Sequence, residues 1–456
     1  MSIRIAKSLL CVAAVLSFCA IALLSTVVYG GNNNNGFGNQ VGGVKIDANG
    51  VVDIAPVEMR QDLSRLLKKN MKPAGDDLQK NTEMRMISLR SLEHAIAEAI
   101  KNNNGQLPDE IKYLAGIQRI EYVFLYPEEN DIVLAGPGEG WIVDEAGNVV
   151  GETSGHPVVQ LQDLLIAMRT ANKAREGYGI SCSIDPTEEG RVKFRGYMKN
   201  QRQFNQQVIR GAEEALGMQR ITVTGVPTDS HFAAVLVAAD YKMKRIAMHL
   251  EETPVKEIPS FLTIMQQKRA KLTNMMPRWW LACNYEPLSR SADGLSWRLN
   301  GPGVKAMTED EIISAEGKVE GTGKTNPVAQ AWADNMTAHY DELSVAEPIF
   351  GDLRNIMDLS VVAALIEKEK MLDKVNLQLP NITTDQSAVT MVKYNVPKTV
   401  QTQCSFMKIK GGTLITASGG VQVESWEATK HAKEDAMVSK KRERAKPYGT
   451  TAWYWN

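Results

Sequence analysis

Cysteine is scarce in this sequence, which contains 5 in 456 residues. Two of the five precede residue 30, and the others are Cys182, Cys283 and Cys404. An odd number of cysteines cannot all pair within one chain, so a fold held together mainly by disulfide bonds is excluded. The simplest interpretation is three buried thiols, because an unpaired cysteine behaves as a small hydrophobic residue.

Motifs for metals and nucleotides are also missing. The 6 histidines include no His-x-x-x-His pair, and no Cys-x-x-Cys occurs, so the sequence has no signature of a dedicated zinc site. Residues 321–325 read Gly-Thr-Gly-Lys-Thr, but a phosphate-binding loop needs a glycine where Lys318 stands. We therefore predict no metal, no cofactor and no nucleotide site, and interpret this segment as a polar loop.

Neither sign of charge is in excess. The chain has 52 basic and 53 acidic side chains, whereas a general nucleic-acid-binding protein shows a strong basic excess. We therefore predict no nucleic-acid partner. Beyond residue 30 no apolar run is long enough to cross a bilayer, so at most one membrane anchor is expected.

The N-terminus has the pattern of an export signal. Arg4 and Lys7 precede residues 8–28, which are uncharged and rich in Leu, Ala, Val and Ile, and Gly30 follows. A basic start, an apolar middle and a small-residue exit are typical of a signal peptide, here residues 1–30. The alternative is a permanent anchor, because about 20 apolar residues suffice to span a membrane. The sequence predicts an extracytoplasmic protein, periplasmic or secreted, or a membrane-anchored one if the signal is not cleaved.

Composition and turn signals predict the remaining organisation. Beyond the signal peptide we expect a Gly/Asn-rich, partly disordered leader at 31–81, an α+β domain at 82–256, a linker at 257–277, a second α+β domain at 278–425, and a basic helix with an aromatic tail at 426–456. The aromatic residues at the very end either dock on the body of the protein or form an exposed sticky end.

The predicted fold class is α+β, with antiparallel meanders, a β-α-β-α-β segment, and mixed sheets covered by helices. The meander covers 120–150. The β-α-β-α-β segment consists of a strand at 180–184, a helix at 192–216, a strand at 221–224, a helix capped by Asp229 or Ser230, and a strand at 245–250. Residues 279–283 and 295–299 are predicted to be paired strands, and the apolar stretch 359–366 a buried helix.

Several separated phrases occur in order along the chain. They include Leu107-Pro108-Asp109-Glu110, Cys182-Ser183-Ile184-Asp185-Pro186-Thr187, Asp229-Ser230-His231-Phe232-Ala233 and Leu353-Arg354-Asn355-Ile356-Met357-Asp358-Leu359. Together they resemble an uncharacterised family of exported bacterial proteins, labelled domain of unknown function 1598, over residues 84–423. The resemblance implies export and a shared fold. It gives no catalytic residue that could be carried over to this chain.

The best candidate site is the turn that leads from the strand at 221–224 into the next helix. It contains Asp229 and His231, and Asp185 follows another strand nearby. In a parallel sheet, all three side chains would converge at one edge and could do general acid–base work. The simpler interpretation is that Asp229 caps its helix and His231 lies on the surface. A Cys182–His231 nucleophile pair is weaker still, because Cys182 alternates within a strand and is typical of the core.

Two functions from different classes follow. The first is a non-catalytic envelope or surface protein that binds envelope proteins or cell-wall polymer. The second is an extracytoplasmic hydrolase that uses Asp185, Asp229 and His231. The sequence leaves open whether the protein is an enzyme, and it leaves the oligomeric state open.

Overall fold

The structure, a computed structural model, describes residues 40–46, 52–103, 105–177, 179–201, 205–270, 276–384, 388–407, 413–446 and 452–456. The predicted signal peptide lies outside the described residues. Residues Asn39–Asn456 belong to one compact unit.

The strands of the described residues are short and spread along the whole chain. They are β1 Gln40–Val41, β2 Val44–Ile46, β3 Val52–Ile54, β4 Thr82–Ser88, β5 Tyr122–Tyr126, β6 Asp131–Gly138, β7 Trp141–Val143, β8 Val149–Gly151, β9 Ile180–Pro186, β10 Met218–Thr224, β11 Arg278–Asn284, β12 Leu288–Arg290, β13 Ser296–Arg298, β14 Gly303–Glu309, β15 Glu311–Ile313, β16 Val319–Gly321, β17 Thr399–Gln401, β18 Ser405–Met407, β19 Thr413–Ile415, β20 Ser418–Val423, β21 Ala432–Glu434 and β22 Tyr454–Trp455.

The helices range from single turns to six turns. They are α1 Val57–Asn70, α2 Asp76–Gln79, α3 Leu89–Asn102, α4 Asp109–Lys112, α5 Leu161–Glu176, α6 Glu188–Lys199, α7 Gln206–Leu216, α8 His231–Ala247, α9 Phe261–Gln267, α10 Pro327–Ala338, α11 Tyr340–Ala346, α12 Pro348–Lys368, α13 Met371–Lys374, α14 Pro380–Thr383, α15 Ser425–Ala428 and α16 Ala436–Arg444.

Two large sheets organise these elements. One has the strand order β14-β11-β20-β9-β10-β17, and the other has the order β21-β12-β13-β5-β6-β4-β22. Each contains one parallel pair, β11 with β20 and β12 with β21, among antiparallel neighbours. The predicted α+β class with mixed sheets is confirmed. The two predicted hairpins, β5 with β6 and β7 with β8, also form, but they belong to different sheets, so the four strands do not make one continuous meander.

The predicted β-α-β-α-β segment differs in two respects. Strands β9 and β10 are antiparallel, because helices α6 and α7 pack against each other and turn the chain back. The strand predicted at 245–250 is wrong, since α8 continues to Ala247. No glycine or proline lies between Asp229 and Thr253 to end that helix earlier.

The predicted pairing of 279–283 with 295–299 is also wrong. Strand β11 belongs to the six-stranded sheet, whereas β13 pairs with β12 in the seven-stranded sheet. The turn at 291–295 joins β12 to β13. Local turn signals identify a hairpin but not which of two nearby strands forms its other arm.

Two apolar helices, α8 and α12, are buried along most of their length. Helix α12 is buried from Leu353 to Ile366, as predicted for a helix that is hydrophobic on all sides. It packs against α5 and α8, and α8 packs against β9 and β20 of the six-stranded sheet. This arrangement holds the N-termini of α5, α8 and α12 near one another.

Strands from both sides of the predicted linker at 257–277 occur in the six-stranded and in the seven-stranded sheet. That segment itself carries α9. Within the predicted leader, β2 pairs with β3 as an antiparallel hairpin, and α1 follows it. The C-terminal aromatic segment docks on the body, where β22 pairs with the edge of β4.

Candidate functional site

The three predicted site residues do not converge. In the antiparallel pair of β9 and β10, Asp185 lies opposite Arg220, and Ser181 lies opposite Thr224. His231 follows Thr224, so it belongs to the end of the strand pair where β9 begins. Four residues of strand, about 14 Å, separate the two levels. Asp185 therefore belongs to a different part of the molecule from Asp229 and His231.

Asp229 is not the cap of α8. The cap of α8 is Ser230, whose Oγ accepts a hydrogen bond from the Ala233 amide at 3.1 Å. The Asp229 side chain is half exposed and lies 3.1 Å from Lys393 Nζ. An exposed pair of this kind contributes little to stability. Asp229 is thus a surface residue beside the helix start.

His231 is buried rather than on the surface, with 5 % of its area exposed. Its Nδ1 lies 2.9 Å and 3.1 Å from the two carboxylate oxygens of Asp163, in the first turn of α5. Its Nε2 lies 3.3 Å from the side-chain amide of Gln160. Tyr394 packs edge-on against the imidazole at 5.2 Å between ring centroids. An aspartate and a histidine in this geometry form an oriented acid–base dyad.

The electrostatics of this dyad include a third ionisable side chain, Asp352 near the N-terminus of α12. Burial raises the pKa of Asp352 to about 7, an effect that His231 opposes and Asp163 reinforces. For His231, burial lowers the pKa, but Asp163 raises it, and the net direction is upward. The cluster therefore retains a proton more strongly than isolated side chains would.

A separate concave site surrounds Asp185. It is a polar cavity of about 280 Å³. Its lining comes from four distant stretches of the chain and consists of Asp185, Pro186, Arg191, Met276, Arg278, Glu311, Val319 and Ser418. We call this the Asp185 cavity.

Charged side chains of both signs face the Asp185 cavity. Arg278 Nη1 lies 3.1 Å from Glu311 Oε1. Arg191 is anchored by hydrogen bonds from Nε to the Gly317 carbonyl at 2.7 Å and from Nη1 to the Pro186 carbonyl. Burial raises the pKa of Glu311, Arg278 lowers it, and the net direction is upward.

Buried polar contacts lie next to Asp185 and Ser418 of the cavity lining. Lys244 Nζ donates to Asp240 Oδ2 at 2.9 Å, to the Ile184 carbonyl at 2.7 Å and to the Gly419 carbonyl at 3.0 Å. Burial raises the pKa of Asp240 to about 7, against the opposing effect of Lys244. These contacts fix the adjoining ends of β9 and β20, from which Asp185 and Ser418 extend.

Ser418 stands out among the lining residues. It is 6 % exposed, and among the described residues its Oγ has no hydrogen-bond partner. A buried hydroxyl without a partner is uncommon, because desolvation of the unpaired group costs about 1–3 kcal/mol. Ser418 is one of the residues that line the Asp185 cavity.

None of the three described cysteines supplies a nucleophile to either site. Cys182 and Cys404 are buried, and all three thiols are unpaired. Burial raises the pKa of Cys182 well above its usual range and that of Cys283 and Cys404 to about 12. Since the thiolate is the reactive form, these thiols are unreactive.

The loop at 321–325 is occupied by the protein's own groups. The Gly323 amide donates to Glu309 Oε1 at 2.7 Å, and Thr322 Oγ1 donates to the Asp310 carbonyl. A carboxylate thus takes the place that a phosphate would need.

Within the described parts of the chain, no group of three or more His, Cys, Asp or Glu side chains is arranged to hold a metal ion. In the same parts, no helix has the length and apolar character needed to cross a bilayer.

Comparison with known proteins gives one result. The family described as Protein of unknown function (DUF1598) matches residues 182–261, which include β9, α8 and both candidate sites in part. The family resemblance is thereby confirmed over a shorter stretch than the predicted 84–423. Searches among curated proteins and among solved structures found no match.

Sequence reasoning missed most of the residues that form these sites. Asp163, the partner of His231, had only a helix-start position as its signal. Glu311 and Arg278 belong to none of the motifs identified in the sequence. Ser418 lies in the Gly-rich stretch Ser418-Gly419-Gly420, where close approach of two backbones is the usual reason for glycine.

Proposed function

We propose that this chain is an exported, non-catalytic binding protein of the cell envelope or surface, and that the Asp185 cavity is its ligand site. The observation that carries the proposal is a polar cavity of about 280 Å³ with an unpaired buried hydroxyl, Ser418, in its wall. Binding sites combine a concave surface with a few fixed polar groups, and both are present here.

Export is supported by the sequence alone. The basic start, the uncharged stretch 8–28 and the small residues that follow have the pattern of a cleaved signal. Delivery to the periplasm or the outside places envelope proteins and cell-wall polymer within reach. N-terminal sequencing of the native protein tests this step, since a start at or near Gly31 indicates cleavage and an intact Met1 indicates an anchor.

A binding role is favoured over catalysis because the residues that would be needed for chemistry are apart. Asp185 is separated from His231 by the length of the β9–β10 pair, and two of the three described thiols are buried. Nucleophilic catalysis requires a nucleophile and a base within hydrogen-bond reach. The Asp185 cavity offers carboxylates and guanidiniums, a set suited to holding polar groups.

Blocking the cavity tests the proposal. Val319 is half-buried in the wall and lies on the short strand β16, so Val319→Trp should fill the volume without disturbing the core. The matched control is Val57→Trp, at a valine that is 52 % exposed on α1. We expect at least one compound from a panel of neutral sugars, amino acids and inorganic phosphate to raise the melting temperature of the wild type and of Val57→Trp. The same compound should not raise that of Val319→Trp. An equal rise in both variants would place the ligand elsewhere and refute the proposal.

A second candidate function is acid–base hydrolysis at His231, and one observation favours it. The 2.9 Å contact between His231 Nδ1 and Asp163 orients the imidazole as a catalytic dyad requires. The test compares His231→Gln with wild type in a screen against ester, amide and glycoside substrates. Turnover that the wild type shows and a folded His231→Gln lacks would promote this candidate over the binding role.

A further inference from the structure

The lining of the Asp185 cavity contains charges of both signs, namely two carboxylates and two guanidiniums. Arg278 and Glu311 are in direct contact at 3.1 Å, so one pair of opposite charges is joined. Glu311 is also within electrostatic range of Asp185 and Arg191.

This mixture of signs disfavours a charged ligand. An anion drawn to Arg191 and Arg278 would also meet Asp185 and Glu311, and a cation would meet both arginines. The attraction would then be offset by repulsion and by the cost of removing the ligand's charge from water. A zwitterion would need unpaired charges of opposite sign, whereas Arg278 and Glu311 already pair with each other. A neutral polar ligand carries none of these costs.

Unused hydrogen-bonding capacity remains on a guanidinium and on a carboxylate of the cavity lining. Counting only described residues, Arg191 Nη2 and Asp185 Oδ2 have no partner, while Asp185 Oδ1 accepts from the Gly419 amide at 3.0 Å. A guanidinium nitrogen donates and a carboxylate oxygen accepts, so the two groups together can bind two hydroxyls, one as acceptor and one as donor. Pro186, Met276 and Val319 add apolar surface to the same lining. Paired hydroxyls and C–H faces occur together on sugar rings.

We infer that the Asp185 cavity binds a neutral carbohydrate through vicinal hydroxyl groups, an inference that rests on the proposed function of the cavity as a ligand site. Its volume equals the liquid volume of about nine water molecules, which is room for a sugar unit. The ligand is either a free sugar or the end of a neutral cell-wall glycan. Both present the same hydroxyl chemistry.

Isothermal titration calorimetry on the full chain tests the ligand class. The probes are neutral monosaccharides, soluble neutral oligomers of cell-wall glycans, glycine as a zwitterion, and inorganic phosphate. The informative variant is Glu311→Gln, and the matched control is Glu320→Gln on the neighbouring strand, where the side chain is exposed. Circular dichroism confirms that both variants fold.

We expect a neutral sugar to bind with an affinity that is unaffected by salt between about 0.05 and 0.5 M, because screening acts on charged ligands. Glu311→Gln should weaken binding about tenfold, the loss of a charge-assisted hydrogen bond, and Glu320→Gln should not change it. Tighter binding of oligomers than of monosaccharides identifies the glycan as the source. Glycine or phosphate binding in place of sugar, with loss in Glu311→Gln, overturns the inference and leaves the cavity as a ligand site. If no probe binds in a way that depends on Glu311, both the carbohydrate inference and the proposed ligand site are overturned.

Discussion

The backbone amide of Gly419 donates a hydrogen bond of 3.0 Å to Oδ1 of Asp185. Through this contact, strand β20 fixes the carboxylate at the edge of the Asp185 cavity. Gly419 has a φ of +113°, and a Cβ at this position would lie 1.8 Å from the carbonyl oxygen of Trp279. Only glycine fits between the two neighbouring strands.

Gly419→Ala should therefore be strongly destabilising. The backbone of β11 or β20 must shift to relieve the contact, and we expect a loss of about 3 kcal/mol or more in the free energy of unfolding. Chemical denaturation measures it. The control is Gly294→Ala, which also has a positive φ, +69°, but has no atom within 4 Å of the added Cβ. That variant should lose only about 1–2 kcal/mol. Equal losses would mean that the close approach of the strands is not as described.

Ser230, and not Asp229, should govern the stability of α8. Ser230→Ala removes the oxygen that accepts the Ala233 amide, and loss of such a cap costs about 1 kcal/mol. Asp229→Ala removes only an exposed pair with Lys393 and should cost less than about 0.5 kcal/mol. Thermal melts of the two variants decide between them. A larger loss from Asp229→Ala would restore Asp229 as the cap.

The cluster around His231 should make stability depend on pH. The pKa of Asp352 rises from 3.8 to about 7 on folding, so the native chain binds a proton that the unfolded chain releases across this window. Stability from this group is then greatest at low pH and is lost as the pH rises from about 4 to about 7. His231 acts in the same direction, since its raised pKa stabilises the fold below the unfolded value and this contribution is lost as the pH rises.

Asp352→Asn isolates the effect. At pH 4 the protonated acid and the amide are equivalent, so the variant and the wild type should be equally stable. At pH 8 the variant should be more stable, because it avoids a negative charge at a half-buried position. The control is Asp334→Asn, at an exposed carboxylate on α10. Urea denaturation at the two pH values measures the difference. A variant that is less stable than wild type at pH 8 would show that Asp352 is held as a favourable anion.

The C-terminal residue should matter for folding. Arg85 is 0 % exposed, and its guanidinium donates to the Lys80, Ala115 and Glu139 carbonyls and from Nε to Asn456 Oδ1 at 2.9 Å. Burial lowers the pKa of Arg85 to about 10. Asn456→Ala leaves one N–H of a buried cation without its partner.

We expect Asn456→Ala to lose about 1–3 kcal/mol, the cost of an unsatisfied buried donor. Removing 452–456 should lose more, because it also uncovers the edge of β4 that β22 now covers. Differential scanning calorimetry and light scattering follow both effects. A truncated chain that melts like wild type without aggregating would contradict the structural role of the tail.

Local patterns in the sequence predicted individual elements well. The buried helix predicted at 359–366 lies within α12, and Ser230, one of the two predicted caps, caps α8. Such features depend on a few neighbouring residues. The sheet partners of β9 and β11 were not predictable in this way, since they depend on how distant segments pack.

The candidate sites illustrate the same limit. The turn before α8 has a visible pattern, and it led to His231, but the partner Asp163 lies 68 positions away in the chain. The Asp185 cavity draws on residues as far apart as Asp185 and Ser418. No spacing rule links such residues, because the strand order brings them together.

The most informative experiment is a crystal structure of the full chain soaked with the neutral sugar that binds most tightly. We expect electron density for the sugar inside the Asp185 cavity, with hydroxyl groups in hydrogen-bond contact with Asp185, Arg191 or Glu311. If crystals saturated with the ligand show it bound elsewhere and the cavity empty of it, the Asp185 cavity is not the sugar site.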